Sequence, residues 1–454
     1  MHKYSRRQML ESLALAGAAP ALWPQLVAAE STVATAPLPA ADRRKLAEPL
    51  VAYFQQNAPK LLRPAQGPFR FPTLAPSLPG KQYSAELWDW DTLWTCRGLF
   101  RLAAVTGDAA FKAQVAEHAR GSLLVFFDHQ TPEGRIPLVL KATNPRVGTL
   151  QRLVPNYQNQ AKPVFGQLAR MICEETGAYA WVDPLFAKLL RFYDSWSIGN
   201  ETGAGLLVWG DDVSIGNDND PTTFGRPFFS SANLLLNCLY YQDLRAAAEI
   251  ATRLNRPADE QQRLADRIAR LGAAIQRECW DPRDAFYYTV DVQCVDRRAE
   301  LIPDVARGMA MAWQTIPLRF QVFTGFLPLW CGLATPAQAK TLLERNYFAD
   351  DRLRANFGVR SLSRLETMYS MDFSSNPSNW LGPVWIIVNY FVWQALARYG
   401  YTSAADDLAA RTVRLLAADL QANGSLNEYY HPDTGAALSH KGFMDWNMLV
   451  LEMI

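Results

Sequence analysis

The sequence predicts an all-α fold in which about a dozen helices form an (α/α)6 toroid, with long loops that make a pocket at one end. Apolar residues recur at helical spacing through most of the 454 residues, and segments of strand-like composition are few and short. The chain has no G-x-G-x-x-G motif and no alternation of strands with helices, so a parallel-sheet fold is not indicated. Length alone favours two or three domains, but helical barrels of this size form single units.

Helical periodicity gives the order of the predicted helices. They lie near residues 41–57, 88–104, 109–128, 160–175, 182–197, 229–254, 257–279, 318–330, 336–347, 379–399, 402–421 and 439–453. Strand-like segments are 206–209, 285–292 and the turn-rich stretch 423–437. A loose multi-domain helical protein is the alternative. The Pro-rich stretch 64–80 lies too near the start of the chain to separate two domains, which favours the toroid.

The N-terminal segment has the pattern of an export signal. Arg6 and Arg7 precede a weakly apolar run over residues 10–22, and Val27-Ala28-Ala29 is typical of a cleavage site. We therefore expect a twin-arginine signal peptide over residues 1–29. A chance pair of arginines ahead of a helix is the alternative.

The rest of the chain is expected to be the mature protein. Residues 30–40 are predicted to be a flexible lead-in, and residues 41–454 the (α/α)6 barrel domain. The apolar run of the signal is too short to remain as an anchor, and no other segment has about 18 uninterrupted apolar residues. We expect no membrane span and a periplasmic or secreted location.

Composition limits the classes of partner. The formal net charge is +1 and the charges are well mixed, so a nucleic-acid partner is not indicated. The 14 tryptophans are numerous, and many stand beside Asp, Asn or Gly. Aromatic faces flanked by hydrogen-bonding groups suit a carbohydrate, although core packing is the alternative role for each ring.

The cysteines do not indicate a metal site. None of the six forms a C-x-x-C pair, so structural zinc is not expected. Cys279 and Cys294 flank a turn and strand, and an exported protein could carry a disulfide there. The remaining four stand in apolar helical segments and are expected to be small buried hydrophobes: Cys96, Cys173, Cys238 and Cys331.

The segment 209–221 is the first candidate for catalysis. It has four Asp within ten residues and precedes the largely apolar run 228–248. A glycosidase needs one carboxyl group that stays protonated near neutral pH, and neighbouring carboxylates and Trp raise a pKa in that way. A solvated turn or a calcium loop is the alternative, but EF-hand spacing fails because no Glu stands at the twelfth position. These residues alone do not select which carboxyl is the acid.

The second candidate is the segment 427–435, in which Glu428 is followed by Tyr429, Tyr430 and His431. A general base that holds the attacking water is the functional interpretation, and a surface Glu beside a turn is the alternative. This segment lies 210 positions from Asp218, so only the fold can bring the two together. Two carboxyl groups facing each other across a sugar are the minimal requirement for glycoside hydrolysis.

Two helix starts are unusually rich in tryptophan. In the segment 83–94, Asp89 and Asp91 are interleaved with three Trp, and capping explains only one such Asp. In the segment 379–385, Pro383 suits a first helical turn, and Trp380 and Trp385 flank it.

Together these segments resemble a clan of inverting glycosidases that includes glycoside hydrolase family 63, the mannosylglycerate hydrolase-like proteins and, more distantly, the trehalases. The resemblance runs from about residue 80 to the C-terminus. Six segments match in the clan's order: 88–92 resembles W-D-x-x-F, 159–163 resembles S-Q-P-P with one inserted residue, 216–221 resembles G-M-D-N-S-P, 357–363 resembles G-I-R-S-L-S, 379–385 resembles Y-W-R-G-P-V-W, and 427–430 resembles the segment that carries the general base.

The chain also departs from these motifs. Leu381 stands in place of the Arg of Y-W-R-G-P-V-W, and Asp220 stands where Ser is common. The usual F-G-W-S near the end is Met444-Asp445-Trp446-Asn447. No large N-terminal β-sandwich is expected, because there is no room for one before residue 80.

The resemblance implies that Asp218 is the general acid and Glu428 the general base of an inverting hydrolase of an α-linked glucoside or mannoside. A hydrolase of this kind needs no cofactor, and no calcium ion or other metal is predicted. The implied sugar-pocket residues are Trp88, Trp90, Asp91, Gln160, Trp380, Trp385 and Trp446. A sugar epimerase or lyase on the same toroid, and a non-catalytic carbohydrate-binding protein, are the alternatives.

Overall fold

Eleven α-helices form the framework of the described residues in a computed structural model of the protein. The described residues are 38–143, 159–210, 215–293, 314–349, 351–372 and 378–454. The helices are α1 (Ala40–Asn57), α2 (Asp89–Thr106), α3 (Ala109–Asp128), α4 (Phe165–Thr176), α5 (Asp183–Ser197), α6 (Leu234–Arg253), α7 (Ala258–Ala274), α8 (Leu327–Trp330), α9 (Pro336–Leu343), α10 (Ile386–Arg398) and α11 (Thr402–Asn423). Short 3₁₀ helices are Ala58–Leu61, Ala180–Val182, Phe323–Phe326 and Trp446–Glu452, and π-helical turns are Ile275–Cys279 and Glu344–Phe348.

Six of these helical segments form an inner ring. Helices α2, α4, α6, α8 and α10 contact one another in that order, and the 3₁₀ helix Trp446–Glu452 packs against both α10 and α2. The ring is therefore closed by the last helical segment on the first. Outer helices α1, α3, α5, α7, α9 and α11 alternate with the inner ones along the chain, and α1 packs against α11.

The two layers differ in how they distribute apolar residues. Inner helix α10 has nine buried residues among thirteen, because it is covered by neighbours on nearly every side. Outer helix α7 buries only Leu264, Leu271, Gly272 and Ala274, which lie on one face, and its other residues are exposed or half-buried. A helix covered all round needs apolar residues all round, whereas a surface helix needs one apolar stripe.

Ring closure depends on a glycine. Gly98 lies in the middle of α2, where a Cβ atom would stand 2.4 Å from the Cβ of Met448 in the C-terminal 3₁₀ helix. Real Cβ atoms do not approach this closely, so Gly98 lets the two inner segments pack backbone against side chain.

Short strands lie next to the inner helices. They are β1 (Leu62–Arg63), β2 (Thr73–Leu74), β3 (Glu86–Trp88), β4 (Val139–Lys141), β5 (Ser231–Ala232), β6 (Trp280–Asp281), β7 (Phe286–Tyr287), β8 (Val290–Asp291), β9 (Ile316–Pro317), β10 (Arg354–Ala355), β11 (Gly358–Val359), β12 (Val384–Trp385), β13 (Tyr429–Tyr430) and β14 (Ala437–Ser439). All pair antiparallel, in the orders β1-β2, β3-β4, β5-β8-β9, β6-β7, β10-β11 and β12-β13-β14. Strands β3, β5 and β12 immediately precede α2, α6 and α10, so each ties the start of an inner helix to a neighbouring loop.

Some sequence predictions need correction. The helix predicted near 439–453 is wrong over its first part, since 437–439 pairs in a sheet and the 3₁₀ helix begins at Trp446. The stretch 206–209 forms only an isolated bridge from Leu207 to Glu201. In both places pairing with another part of the chain decides the local structure.

The predicted signal peptide and Cys294 lie outside the described residues. Residues 37–454 form one compact unit. Within the described residues, no helix is both long and apolar enough to cross a membrane.

Candidate active site

A cavity of about 460 Å³ lies at the N-terminal ends of the inner helices. Its described lining residues are Tyr83, Trp88, Trp90, Asp91, Lys162, Gly216, Asp218, Ser378, Glu428 and Trp446. Each of them stands in a connection that leads into an inner segment or in the first turn of that segment. The toroid therefore gathers distant segments of the chain at one end.

The structure brings most of the predicted site residues together. Asp218 and Glu428 both line this cavity, and so do four of the predicted pocket residues. Those four are Trp88, Trp90, Asp91 and Trp446. Burial raises the pKa of Glu428, and the negative charge of Asp218 adds to that rise.

Three predicted residues are not among the described lining residues. Trp380 stacks on Trp385, with ring centroids 3.9 Å apart and planes 9° apart. Both rings lie behind the lining residues. The ring centroids of Trp380 and Trp90 are 6.2 Å apart, and those of Trp385 and Trp446 are 5.7 Å apart. Gln160 is buried and its Oε1 accepts a hydrogen bond from Ser195. The two tryptophans therefore support the cavity wall from behind.

The loop that carries Asp218 is held by its neighbours. The Asn219 amide donates to Asn379 Oδ1 at 3.1 Å, and its Oδ1 accepts from the backbone N–H of Trp380 at 2.6 Å. Asp220 accepts from Asn217 and from the N–H of Thr222. Asn217, Asn219 and Asp220 are buried, whereas Asp218 is half-buried and faces the cavity. The motif thus uses three polar side chains to build the loop and directs the fourth, that of Asp218, toward the cavity.

Gly216 is required where this loop meets the cavity wall. Its φ is +101°, in the region that favours glycine. A Cβ atom there would stand 3.2 Å from the Trp90 ring and 3.3 Å from Lys162 Cε. A side chain at this position would displace the residues around Asp218.

Glu428 lies in a small sheet beside a histidine. It directly precedes β13, and its N–H donates to Ser439 O at 2.9 Å, which places the next residue, His440, alongside. His440 Nδ1 is hydrogen-bonded to Glu428 Oε2. Burial raises the pKa of Glu428, and the hydrogen bond from His440 opposes that rise. His440 holds a positive φ of +51°, so its backbone adopts a costly conformation to reach this position.

A buried network holds the loop before Glu428. Asp419, in the last turn of α11, accepts from the N–H and side-chain amide of Asn427 and from the hydroxyl of Tyr430. From the other side, Asn447 donates to the carbonyl of Asn427 at 2.7 Å. Glu428 is therefore fixed by an outer helix and by the C-terminal segment.

Charged groups cluster on the α2 side of the cavity. Lys162 Nζ lies 3.0 Å from Asp89 Oδ1 and 5.2 Å from the centre of the Trp90 ring. Burial is the main cause that raises the pKa of Asp91, with further contributions from the charges of Asp89 and Glu428. Burial and the charge of Asp91 raise the pKa of Asp445 well above its usual value.

Sequence reasoning did not select several lining residues. One of them is Tyr83, whose φ is +67°. Its ring centroid lies 5.9 Å from that of Trp88 and 5.4 Å from that of His440. Burial raises the pKa of its hydroxyl group. Lys162 stands inside the segment that resembles S-Q-P-P, and this resemblance is the only sequence feature that could have pointed to it as a site residue. No sequence feature pointed to Ser378.

Within the described residues, no group of three His, Cys, Asp or Glu side chains is arranged to hold a metal ion. Asp211 and Asp212, which belong to the Asp-rich segment, lie outside the described residues.

A family model of the mannosylglycerate hydrolase MGH1-like glycoside hydrolase domain matches residues 109–444. The chain belongs to this family. The match spans the segments of Asp218 and Glu428, so the predicted resemblance to mannosylglycerate hydrolase-like proteins is confirmed.

Named relatives match over part of the chain. Mannosylglycerate hydrolase of Thermus thermophilus is 29% identical over 148 residues, which cover 32% of this chain and 32% of that protein. Mannosylglycerate hydrolase MGH1 of Selaginella moellendorffii is 35% identical over 112 residues, covering 24% of this chain and 20% of the other. The matches therefore span about a fifth to a third of the length of these relatives.

Solved structures confirm the toroid. The family 63 mannosylglycerate hydrolase of Thermus thermophilus in complex with glucose superposes with a TM-score of 0.63 at 20% identity, over 90% of this chain and 98% of the other. Neutral trehalase of Saccharomyces cerevisiae superposes with a TM-score of 0.56 at 15% identity, over 85% and 74%. At these identities the likeness establishes the (α/α)6 fold of the MGH1-like domain in this chain.

Proposed function

We propose that the protein is an exported glycoside hydrolase that cleaves an α-linked glucoside or mannoside with inversion. The observation that carries the proposal is the position of Asp218 and Glu428 in one aromatic cavity, at the ends of segments that are far apart in the chain. An inverting mechanism needs one carboxyl group on each side of the glycosidic bond, with room for a water molecule beside the base.

Asp218 is the proposed general acid. It lies half-buried on a loop that its three polar neighbours fix, so its carboxyl group can reach the glycosidic oxygen without a large rearrangement. Its proton goes to that oxygen as the bond to the anomeric carbon breaks.

Glu428 is the proposed general base. It takes a proton from the attacking water while the water oxygen bonds to the anomeric carbon. A carboxylate whose pKa is raised toward neutral is a stronger base than an exposed one, provided that it stays ionised. The hydrogen bond from His440 favours the ionised form, so it supports this role over that of the acid.

Aromatic rings make the binding surface for the sugar. Trp88, Trp90 and Trp446 line the cavity and offer ring faces to the apolar C–H faces of a pyranose. Asp91, Lys162 and Ser378 add polar groups for the hydroxyl rims.

Charge favours a neutral substrate. The described lining residues carry three carboxyl groups, on Asp91, Asp218 and Glu428, and one ammonium, on Lys162. Lys162 is paired with Asp89, so the cavity has an excess of negative charge. Leu381 also replaces the motif's Arg. A glycoside with an acidic aglycone is therefore expected to bind more weakly than its neutral analogue.

An epimerase or lyase remains the second candidate because Tyr83 and His440, two groups able to carry a proton, lie at the cavity. His431 is elsewhere, in a turn where it accepts from the N–H groups of Asp433 and Thr434. A non-catalytic binding protein is the third. Products distinguish them, since only the hydrolase consumes water and releases a free reducing sugar.

The test is a screen of α- and β-linked glucosides and mannosides, neutral and acidic, followed by proton NMR on any that are cleaved. An inverting enzyme releases the β-anomer first from an α-glycoside. Release of the α-anomer first would overturn the mechanism, and an epimerised or unsaturated product would establish the second candidate.

Substitutions assign the roles. Asp218→Asn is expected to lower turnover by about 10²- to 10⁴-fold, most of all for poor leaving groups, and Glu428→Gln to lower it for every substrate. Asp194→Asn is the control, because its ion pairs with Arg263 and Arg267 lie at the surface of α5 and contribute little.

A further inference from the structure

We propose that Lys162 is a specificity-determining residue, whose ammonium group donates a hydrogen bond to one particular hydroxyl group of the sugar in the cavity. The cavity then discriminates between sugars by whether they carry that hydroxyl group. The proposal rests on the proposed function only in taking a sugar as the ligand of the cavity.

Lys162 is a buried cation that faces the cavity. Its side chain is 2% exposed, and it is one of the residues that line the cavity. Its Cε lies 3.3 Å from the point where a Cβ atom of Gly216 would stand, and its Nζ lies 5.2 Å from the centre of the Trp90 ring. The loop of Asp218 and the wall of the cavity therefore fix the direction of this side chain.

The ammonium group has more donors than its protein partner can use. Asp89 Oδ1, 3.0 Å from Nζ, is the single acceptor for this group among the described residues. An ammonium group carries several N–H donors and no acceptor. A buried donor without an acceptor is costly, so a ligand hydroxyl in the cavity supplies what the described part of the chain lacks.

Holding Asp89 in place is not a sufficient reason for this lysine. Asp89 is fully buried, but its carboxylate already accepts from two backbone N–H groups, that of Lys162 at 2.6 Å and that of Trp90 at 2.7 Å. Replacing a buried ion pair by uncharged residues of similar volume is often neutral or stabilising. A ligand therefore explains a lysine at the edge of the cavity better than the stability of the fold does.

A hydroxyl group is the ligand group that fits this cation. Asp89 neutralises the charge of Lys162. The other charged groups of the described lining are the carboxyl groups of Asp91, Asp218 and Glu428, so a ligand carboxylate would meet net negative charge. A sugar hydroxyl is uncharged and accepts a hydrogen bond through its lone pairs, so it can use the free donors without this cost.

A cation at this position is a feature of this chain. The segment 159–163 resembles S-Q-P-P, a motif without a charged residue, whereas Leu381 stands where the motif Y-W-R-G-P-V-W has Arg. Relative to these motifs, the chain has lost one cation and gained another in a different segment. We therefore expect the chain to select its sugar through a contact that the motifs do not supply.

The experiment measures which hydroxyl groups contribute to binding, by isothermal titration calorimetry of the native chain. The probes are D-glucose, D-mannose and their monodeoxy forms, each of which lacks one hydroxyl group. At least one monodeoxy sugar should bind about tenfold to a hundredfold more weakly than its parent, the usual contribution of a hydrogen bond to a charged group. In Lys162→Met, that sugar and its parent should bind with equal affinity, while the penalties at the other hydroxyl groups remain.

A paired substitution guards against unfolding. Lys162→Met alone leaves the buried carboxylate of Asp89 without its cation, which is destabilising. Asp89→Asn combined with Lys162→Met removes both charges, and the new amide oxygen still accepts a hydrogen bond from a backbone N–H. Asp89→Asn alone keeps the donors of Lys162. The hydroxyl preference should therefore persist in Asp89→Asn and disappear in the double variant.

Lys188→Met is the matched control. Lys188 is a half-buried lysine of α5, and its Nζ donates to the carbonyl of Phe127 at 3.2 Å. It is not among the described residues that line the cavity. This variant should keep every hydroxyl preference of the native chain.

Equal penalties in Asp89→Asn and in the double variant, at every hydroxyl group, would overturn the proposal. So would the absence of binding of both parent sugars to the native chain. If either result came with cleavage of a glycoside in the screen, the proposed function would stand without this role of Lys162. Loss of one hydroxyl preference in a chain that cleaves no glycoside would establish the role and overturn the proposed function.

Discussion

At the scale of single residues, the best-defined constraint on the site is Gly216. Gly216→Ala should lower kcat by at least about tenfold, because its positive φ and the contact with Trp90 would shift the Asp218 loop, at a strain cost of about 1–3 kcal/mol. The measurement is turnover of the glycoside found in the screen, with the urea midpoint recorded in parallel.

Gly225→Ala is the control for the backbone cost. Its φ is +71°, but a Cβ atom there would meet nothing within 4 Å. It should lose a similar amount of stability from the positive φ and keep most of the activity. Equal loss of turnover in both variants would mean that the contact with Trp90 has no role.

His440→Gln tests the environment of Glu428. The hydrogen bond from His440 lowers a pKa that burial has raised, so removing the imidazole should raise the pKa of Glu428. A base is active only when it is ionised, and activity is lost as pH falls through its pKa. The acid limb of the kcat/KM profile should therefore move to higher pH.

His431→Gln serves as the control for His440, since its ring lies in a turn outside the cavity. It should leave the acid limb in place. If His440→Gln lowers kcat/KM at every pH but leaves the acid limb at the same pH, the histidine only holds the hairpin in place.

The carboxyl groups could be found in the sequence, but their partners could not. Asp218 and Glu428 stand in motifs that follow one another in the clan's order. This order can be recognised in the sequence without knowledge of the fold. The contacts of Glu428 with His440, and of Asp445 with Thr95, depend on where a hairpin turns and how a ring closes. The sequence predicts Trp380 and Trp385 in the pocket, because a tryptophan that stacks on a sugar and one that stacks on another tryptophan look alike in sequence.

At the scale of elements, α11 and the β12-β13-β14 sheet together hold Glu428. Asp419→Ala should destabilise the protein by about 2–4 kcal/mol, because it leaves the Tyr430 hydroxyl and the Asn427 N–H without their buried acceptor. Turnover should fall in the folded variant as Glu428 loses its fixed position. Urea unfolding and kcat are the two readouts.

Asp407→Ala, on the same helix, is the comparison. Its ion pair with Arg411 lies nearer the surface, so the loss should stay below about 1 kcal/mol. An Asp419→Ala variant that unfolds like Asp407→Ala would contradict the role given to this network.

Helices were predictable and strands mostly were not, for a physical reason. An amphipathic or fully buried helix carries its pattern within one stretch, as α6 and α11 do. The two-residue strands take their structure from partners far along the chain, as Val384 pairs with Tyr430. Such short strands carry no periodicity of their own.

At the scale of the whole molecule, closure of the inner ring can be tested at Gly98. Ala in place of Gly inside an exposed helix stabilises by about 1 kcal/mol, but here the new methyl would strike Met448. Gly98→Ala should therefore destabilise by about 1–3 kcal/mol, the usual range for overpacking. Gly203→Ala, where a Cβ atom meets nothing within 4 Å, should change stability little.

Combining Gly98→Ala with Met448→Gly provides the decisive measurement, because alanine at position 448 would keep the Cβ atom that the new methyl group meets. Met448→Gly alone should destabilise the protein, but the double variant should be more stable than additivity predicts. Additive losses would mean that the two segments do not press on each other at this point.

Export is the other prediction at this scale. Changing both Arg6 and Arg7 to Lys should leave the precursor inside the cell, because the twin-arginine signal needs that pair. Immunoblots of cell fractions, with the N-terminus of the mature form determined, are the readout. A mature chain that starts near Glu30 is expected from the unaltered protein, and unchanged export of the double variant would refute the signal.

The closed inner ring also fixes when the cavity can first form during synthesis. Glu428 and Trp446 come from segments that are made long after α2, and the Trp446–Glu452 segment completes the ring against α2. A nascent chain that has not yet reached these residues has an open gap in the cavity wall. The cavity therefore forms in one step once this segment has emerged, and it does not grow gradually as the chain lengthens.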